Sequence, residues 1–556
     1  MEKIWLKSYP PGVPAEIDPS GFQSLNAMVD QSFADFADRV AFVQMGREVT
    51  YRELDTLASH FAAWLQHEAG LQKGDRVALM MPNILQYPIA IFGVLRAGMV
   101  IVNTNPLYTA PELEHQLKDS GAKAILVLEN FAHVLQDVLA KTDVRKVVVT
   151  AVGDLLGAPK SWIVNFVVRH RRKQVRPWHI EGAIDFRHAI AAGRRHAVSP
   201  VTLTHDDVAF LQYTGGTTGI SKGAMLTHRN IVANVLQAQA WIGPTFPKGS
   251  SILISPLPLY HIFGLTANCL LFMLLGWKNV LITNPRDFPA FVREMKKYRF
   301  AFMTGVNTLF NALLHTPGFA SLDFSKLVVT LGGGMAVQQS VAEKWKQVTG
   351  RVLTQAWGLT ETSPAACINP CDAEFNGSIG LPIPSTEISI RNDDGAELAQ
   401  GEVGEICVLG PQVMAGYWQR PDETEKVMLP GGWLRTGDIG HVDAKGFVFI
   451  EDRKKDMILV SGFNVYPNEV ESVIVTHPGV LEAAAVAQPD EKSGEVVAVF
   501  VVPKLPGLTE QDVIEHARKS LTGYKVPKHV YLRKELPKTN VGKILRRALR
   551  DELIHH

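Results

Sequence analysis

At 556 residues, with 46% hydrophobic and 20% charged residues, the chain has the composition of a soluble globular enzyme and not of a disordered or fibrous protein. That length predicts two or more domains, at roughly 100–200 residues each. A net charge of +1 excludes nucleic-acid binding through global charge, and the four cysteines (Cys269, Cys367, Cys371, Cys407) match no zinc spacing and fit reduced thiols.

The N-terminal run MEKIWLKSYPPGVPAEID has no apolar stretch long enough for a signal peptide, which predicts a cytoplasmic chain. YRELDTLASHFAAWLQ then has helical periodicity, while DRVALMM and AKAILVL read as buried strands, an alternation that predicts α/β layering. Residues 162–176 break this pattern. From Trp162 to Arg176 an apolar half adjoins a block holding Arg169, Arg171, Arg172, Lys173 and Arg176, which reads either as an interfacial segment for anionic lipid at the inner face of a membrane or as a solvated basic helix.

The apolar segment at Val208 to Leu211 reads as a strand, and it leads into YTGGTTGISKG. Glycine lets backbone N–H groups approach an anion, threonine hydroxyls add donors or a metal ligand, and Lys222 adds charge, so the run predicts a phosphate site. It is not a Walker A loop, because Lys222 lies between Ser221 and Gly223. SILISPLP, KNVLIT, FAFMTG and KLVVTLGGG follow as apolar runs ending at Pro, Gly or Asn, which makes them strand ends where ligands of open parallel sheets sit. Residues 265–276, LTANCLLFMLLG, fall short of the ~20 needed to span a bilayer and predict a buried helix.

From about Gly401 the texture shifts to short strands with charged turns. The charged run DRKKD at 452–456 is read as a boundary, giving a large domain 1–451, a hinge 452–456 and a small α/β domain 457–556; a charged turn inside one domain is the alternative. Three further runs carry candidate chemistry, each weak alone. QAWGLTETSP places Thr360 and Glu361 where a carboxylate could hold Mg²⁺ on a phosphate. WLRTGDIG places Asp438 in a tight turn suited to ribose hydroxyls, and PKTNVGKILRR places Lys543 in a loop where a cation could reach a carboxylate or phosphate.

Together and in this order, YTGGTTGISKG, PLYHIFG, GGGM, WGLTETSP, RTGD, DRKKDMILVSGFNVYPNEVE and the terminal GK resemble the AMP-forming acyl-CoA synthetases of the adenylate-forming superfamily over nearly the whole chain. Within it, residues 432–471 look like the signature of the fatty-acyl-CoA synthetases, most similar to the bacterial long-chain fatty acid:CoA ligases. The resemblance implies a large domain of layered α/β subdomains with a small mobile C-terminal α/β domain. It implies ATP, Mg²⁺ and CoA as cofactor and co-substrates, a fatty acid as substrate, and a homodimer as one assembly.

Carried over residue by residue, the resemblance puts Tyr213, Thr214, Gly215, Gly216, Thr217, Thr218, Gly219 and Lys222 around the ATP phosphates, with Thr214 and Glu361 at Mg²⁺ and Thr360 beside them. Gly333, Gly334, Gln355, Ala356 and Trp357 would frame the adenine, and Asp438 and Arg453 the ribose. Lys455 would be the hinge, Gly462 would border the pantetheine channel, and Lys543, His261 and Glu361 would be the catalytic groups, with Lys543 bridging the carboxylate and the α-phosphate.

The chain departs from the common pattern at Ala356-Trp357-Gly358 and Met335-Ala336, and it has Leu265 where some long-chain members carry a gating tryptophan. Three activities stay open on the sequence: a long-chain acyl-CoA ligase, a medium-chain or aryl acid ligase or carrier-protein adenylating enzyme, and an inactive nucleotide-binding module.

Overall fold

The protein is described by a computed structural model covering residues 2–214, 221–243, 246, 248–249, 251–461, 463–490, 492–504, 506–539 and 542–554. Among the described residues the chain forms four sheets. The seven-stranded one runs in the order Ile184–Asp185, Lys146–Thr150, Ala124–Leu128, Arg76–Met80, Val100–Asn103, Val208–Thr214, Lys222–Thr227, parallel until the final antiparallel pair. Its central strands are buried along their length, as the continuous apolar runs require when helices cover both faces.

A nine-stranded sheet has the parallel core Leu353–Gly358, Val329–Gly332, Phe302–Gly305, Ile252–Ser255, Lys278–Leu281, Val40–Gln44, with antiparallel strands at both edges. Each of the apolar runs read as strands from the sequence is a strand here. The two longest described helices are Tyr51–His67 and His228–Ile242. Thr227 caps the second of these in a reciprocal box with Asn230, which fixes where the helix starts and so where the preceding hairpin ends. The apolar run at 265–276 is the expected buried helix, wound as a π-helical segment Gly264–Leu270 followed by Leu271–Leu274.

A third, antiparallel sheet joins Glu387–Arg391, Gly404–Leu409, Trp433–Val442 and Val448–Arg453. Beyond it the chain builds a separate small unit. Ile458–Val460, Phe463–Val465, Val480–Asp490, Gly494–Pro503 and His529–Leu532 form its sheet, and its helices Pro467–Ile474, Glu510–Arg518 and Arg546–Ile554 pack on it. Val470, Ile474, Val499, Val501 and Val513 belong to an apolar cluster confined to this unit, the mark of a domain with its own core. The architecture is thus a large α/β domain with a small α/β domain after it. No described helix is long and apolar enough to cross a membrane.

Candidate active site

Several strand ends of the large domain converge at one place. Val329–Gly332 pairs with Leu353–Gly358 so that Gly332 lies opposite Gln355, and the Gly333–Gly334 step leaves the sheet beside Gln355, Ala356 and Trp357. A Cβ on Gly333 would sit 3.1 Å from the Ala356 carbonyl and from the Phe263 ring, a tight fit, and Gly334 has φ of +78°, which favours glycine.

Trp357 is held by a carboxylate. Its Nε1–H donates to Asp438 Oδ2 at 2.9 Å, while Asp438 Oδ1 lies 3.1 Å from Arg453 Nε. Asp438 does not occupy the tight turn expected from its sequence. It lies inside the ten-residue strand Trp433–Val442, directly opposite Arg453 on one side, and on the other side within a bulge where the pairing passes from Arg435 to Ile439 and Gly437 takes φ of +72°.

Glu361 sits on the 3₁₀ turn Thr360–Thr362, whose end is pinned by the Met414 N–H donating to the Glu361 carbonyl at 2.8 Å. The Tyr417 hydroxyl donates to Glu361 Oε1 at 2.7 Å, and burial beside that carboxylate raises the phenol so that it stays a donor. The face of the same Tyr417 ring meets Lys222 Nζ 4.8 Å from its centroid, and Lys222 also pairs with Glu423. Hydrogen bonds from Lys222 and Lys426 hold the Glu423 carboxyl down at about 2. Lys222 pairs across the hairpin with Thr214. Tyr213 turns its hydroxyl away to Asp119 at 2.7 Å. Gly215, Gly216, Thr217, Thr218, Gly219 and Gly462 lie outside the described residues. A cavity of about 360 Å³ opens beside Glu361, Tyr417, Gly437 and Lys454.

The small domain supplies the remaining wall. Its loop is closed by a bridge between Lys538 and Ile544, by Thr539 N–H donating to the Lys543 carbonyl at 2.6 Å and by Lys543 N–H donating to Thr539 Oγ1 at 3.1 Å. Thr308 of the large domain donates to the Gly542 carbonyl at 3.2 Å. Lys543 Cε lies 3.5 Å from where a Cβ on Gly334 would be, which places the ammonium stem against the glycine step. Burial, with Arg453 close by, lowers the Lys543 ammonium to about 8, and burial and Arg453 bring Lys455 to about 8 as well.

His261 faces the same space. Burial and the charge of Lys543 depress its imidazole to about 3, so it is neutral. Its Nδ1 accepts from the Phe263 N–H at 3.3 Å, which leaves the proton on Nε2. The structure therefore brings Lys543, His261, Gly334, Trp357, Asp438, Arg453, Lys455 and Glu361 to one site from segments spread over 283 residues of chain (261 to 543).

Sequence reasoning passed over the group that anchors Lys543. Three residues on, Arg546 donates to Glu471 at 2.8 and 3.0 Å and to Asn468 Oδ1 at 2.7 Å, and lies 3.6 Å from both Asp452 and Asp456. Burial works against its charge, but Glu471 and Asp452 outweigh it and raise the guanidinium further. Arg550 adds bonds to Asp456 at 2.9 Å and to the Lys455 carbonyl at 3.2 Å. Asp452 is fully buried, and that burial lifts its carboxyl to about 6 against the pull of Arg546. The helix carrying these arginines is thus bolted to residues 452–456.

A glycine-lined sheet edge, a carboxylate-held tryptophan and a lysine delivered by a small C-terminal domain define an AMP-binding enzyme. The AMP-binding enzyme profile matches residues 29–418 and the AMP-binding enzyme C-terminal domain profile matches residues 469–543, and the chain belongs to this family. Among relatives, it is 57% identical over 553 residues to a long-chain-fatty-acid–CoA ligase of Escherichia coli O157:H7, covering 99% of this chain and 98% of that one. It is 38% identical to the protein of the same name in Bacillus subtilis strain 168, over 99% and 98% of the two chains. Of solved structures, ATP-bound MatB from Rhodopseudomonas palustris superposes with a TM-score of 0.82 at 28% identity, covering 95% of this chain and 99% of that one. The anthranilate CoA ligase AuaEII with anthranoyl-AMP shares the fold with a TM-score of 0.85 at 24% identity, over 97% and 99%.

Proposed function

We infer that this chain is a ligase that activates a long-chain fatty acid with ATP and passes the acyl group to CoA. The observation that carries the chemistry is Lys543, seated against Gly334 and electrostatically coupled to His261 inside a site otherwise built by the large domain. The full-length identity to long-chain-fatty-acid–CoA ligases carries the substrate class.

A carboxylate is a poor electrophile, and adenylation gives it AMP as a leaving group. The carboxylate oxygen forms a bond to the α-phosphorus while the bond to pyrophosphate breaks, and negative charge builds on the phosphoryl oxygens. Lys543 is placed to meet that charge, and a preorganised donor of this kind acts on the transition state and not the ground state. The neutral Nε2–H of His261 can donate to the same carboxylate. Asp438, whose geometry is locked by Arg453 and by the Trp357 indole, holds the ribose hydroxyls, and the residues around Gly333 and Ala356 frame the adenine.

The donors Thr214 and Glu361 are hard oxygens and suit Mg²⁺, which keeps most of its shell from water and substrate phosphate and needs only one or two protein carboxylates. That ion, when bound, neutralises phosphate charge.

In the second step the CoA thiolate attacks the acyl carbon and AMP departs, so Lys543 has to withdraw. Residues 452–456 are the hinge of this reading, with 1–451 and 457–556 moving as bodies about Lys455. A substrate that partitions into bilayers also favours a peripheral position at the inner face of a membrane.

The test is purified protein with ATP and a panel of oleate, butyrate and coumarate, with and without CoA, following AMP, pyrophosphate and acyl-CoA by mass. Oleoyl-CoA with AMP is the expected product. Preference for butyrate or coumarate would move the substrate class, and an adenylate that CoA never discharges would remove CoA as acceptor.

A further inference from the structure

The helix that begins at Lys160 is built inside out. Lys160–Phe166 continues as a π-helical turn through Arg171, and along it the polar Ser161 and Asn165 are buried while Trp162, Ile163 and Phe166 are 69%, 60% and 56% exposed. A helix packed on a protein core shows the reverse pattern. Its orientation is fixed by specific bonds: Asn165 Oδ1 accepts from the Gly153 N–H at 2.8 Å and its Nδ2 donates to Asp154 at 3.0 Å. Lys160 reaches the Met45 carbonyl at one end, and at the other Arg169 pairs with the buried Glu129 at 2.9 Å. The three large apolar side chains are therefore held out toward the surroundings by a scaffold that cannot rotate them in.

Charge continues the pattern. Residues 160–176 contain no Asp or Glu, and Arg171, Arg172, Lys173 and Arg176 are exposed and pair with no carboxylate among the described residues. We propose that this face docks on an anionic lipid bilayer, with Trp162, Ile163 and Phe166 entering the headgroup and acyl boundary and the arginines and lysine lying on lipid phosphates. An apolar wedge flanked by cations is what such a surface attracts, and the helix is too short to span and so lies in the interface plane. A second copy of the chain fits worse, because the same face would set four cations against four. The proposal rests on the peripheral position given above and adds the surface that produces it.

The experiment is co-sedimentation of the full-length protein with vesicles rich in phosphatidylglycerol or made of phosphatidylcholine alone, without ATP, CoA or fatty acid, so that it is independent of the ligase reading. Wild type is expected on the anionic vesicles, less so as salt rises. A triple variant Trp162→Ser, Ile163→Ser, Phe166→Ser and a separate Arg171→Glu, Arg172→Glu, Lys173→Glu variant are each expected to lose about tenfold or more in binding, with ATP-dependent turnover of a water-soluble medium-chain acid at the wild-type rate as the check on folding. Failure of wild type to bind, or binding at the wild-type level by either variant, would overturn the proposal. So would a wild-type dimer in sedimentation velocity that the serine variant converts to monomer.

Discussion

The two sides of the active site are held by different physics. On the large-domain side, Trp357, Asp438 and Arg453 lie in paired strands, and Gly333 directly follows the strand Val329–Gly332 with its N–H donating to the Gly305 carbonyl at 3.2 Å. On the small-domain side, Lys543 rides on a short closed loop whose described hydrogen bond to the large domain is Thr308 to Gly542, and its anchorage runs through the ionic contacts of Arg546 and Arg550. A sheet edge is permanent. A lysine on a loop with one described hydrogen bond to the large domain and a rigid helix behind it can be withdrawn as a unit, and that difference suits the proposed reaction, in which the nucleotide stays while the lysine leaves.

The strongest way to break this contrast is Arg546→Ala. It strands Glu471, Asp452 and Asp456 in a largely buried pocket without their cation, and removing one partner from such a cluster costs about 3–5 kcal/mol. The small domain should unfold separately and earlier in urea, with proteolysis appearing near residues 452–456, while the large domain's transition stays in place. A single unshifted transition would show that the arginine is not what bolts the helix to residues 452–456.

Lys543→Ala divides the two half reactions. Adenylate formation should fall by about 10²–10³, the usual effect of losing one preorganised donor, while transfer from supplied acyl adenylate to CoA should keep its rate. Equal losses in both halves would mean that Lys543 acts on the fold and not on the α-phosphate.

Local signals account for much of what the sequence made legible. Strands such as Ala124–Leu128 and Phe302–Gly305 stand out because apolar runs end at glycine or polar breaks, and Gly333 and Gly334 stand out through the GGGM motif of the family resemblance. Partners far along the chain were hidden. Nothing in the text of the sequence separates Arg546 from Arg547, yet the first is enclosed by Glu471 and Asp452 and the second is mostly exposed beside Asp551, a distinction made by helix phase and by a helix and a strand 75 or more residues earlier. Tyr213 lies in the phosphate run but sends its hydroxyl to Asp119, and Asp438 reads as a turn but lies at a bulge in a strand, paired with Arg453.

The smallest expected effect sharpens the contrast through pH. Lys543 has its ammonium lowered from 10.5 to about 8 by burial, so in the free enzyme the cation is complete well below pH 8 and is lost above it. Because the reaction uses the charged form, kcat/KM for adenylate formation should descend on the alkaline side with an apparent pKa near 8, about tenfold per pH unit. The limb in kcat should lie higher, since bound phosphates favour the ammonium. His261, held near 3, contributes no limb in the neutral range. Lys455 titrates in the same window as Lys543, and Lys543→Arg separates them: a guanidinium keeps its charge, so the limb should move to higher pH, whereas an unmoved limb would assign it to Lys455 at the hinge.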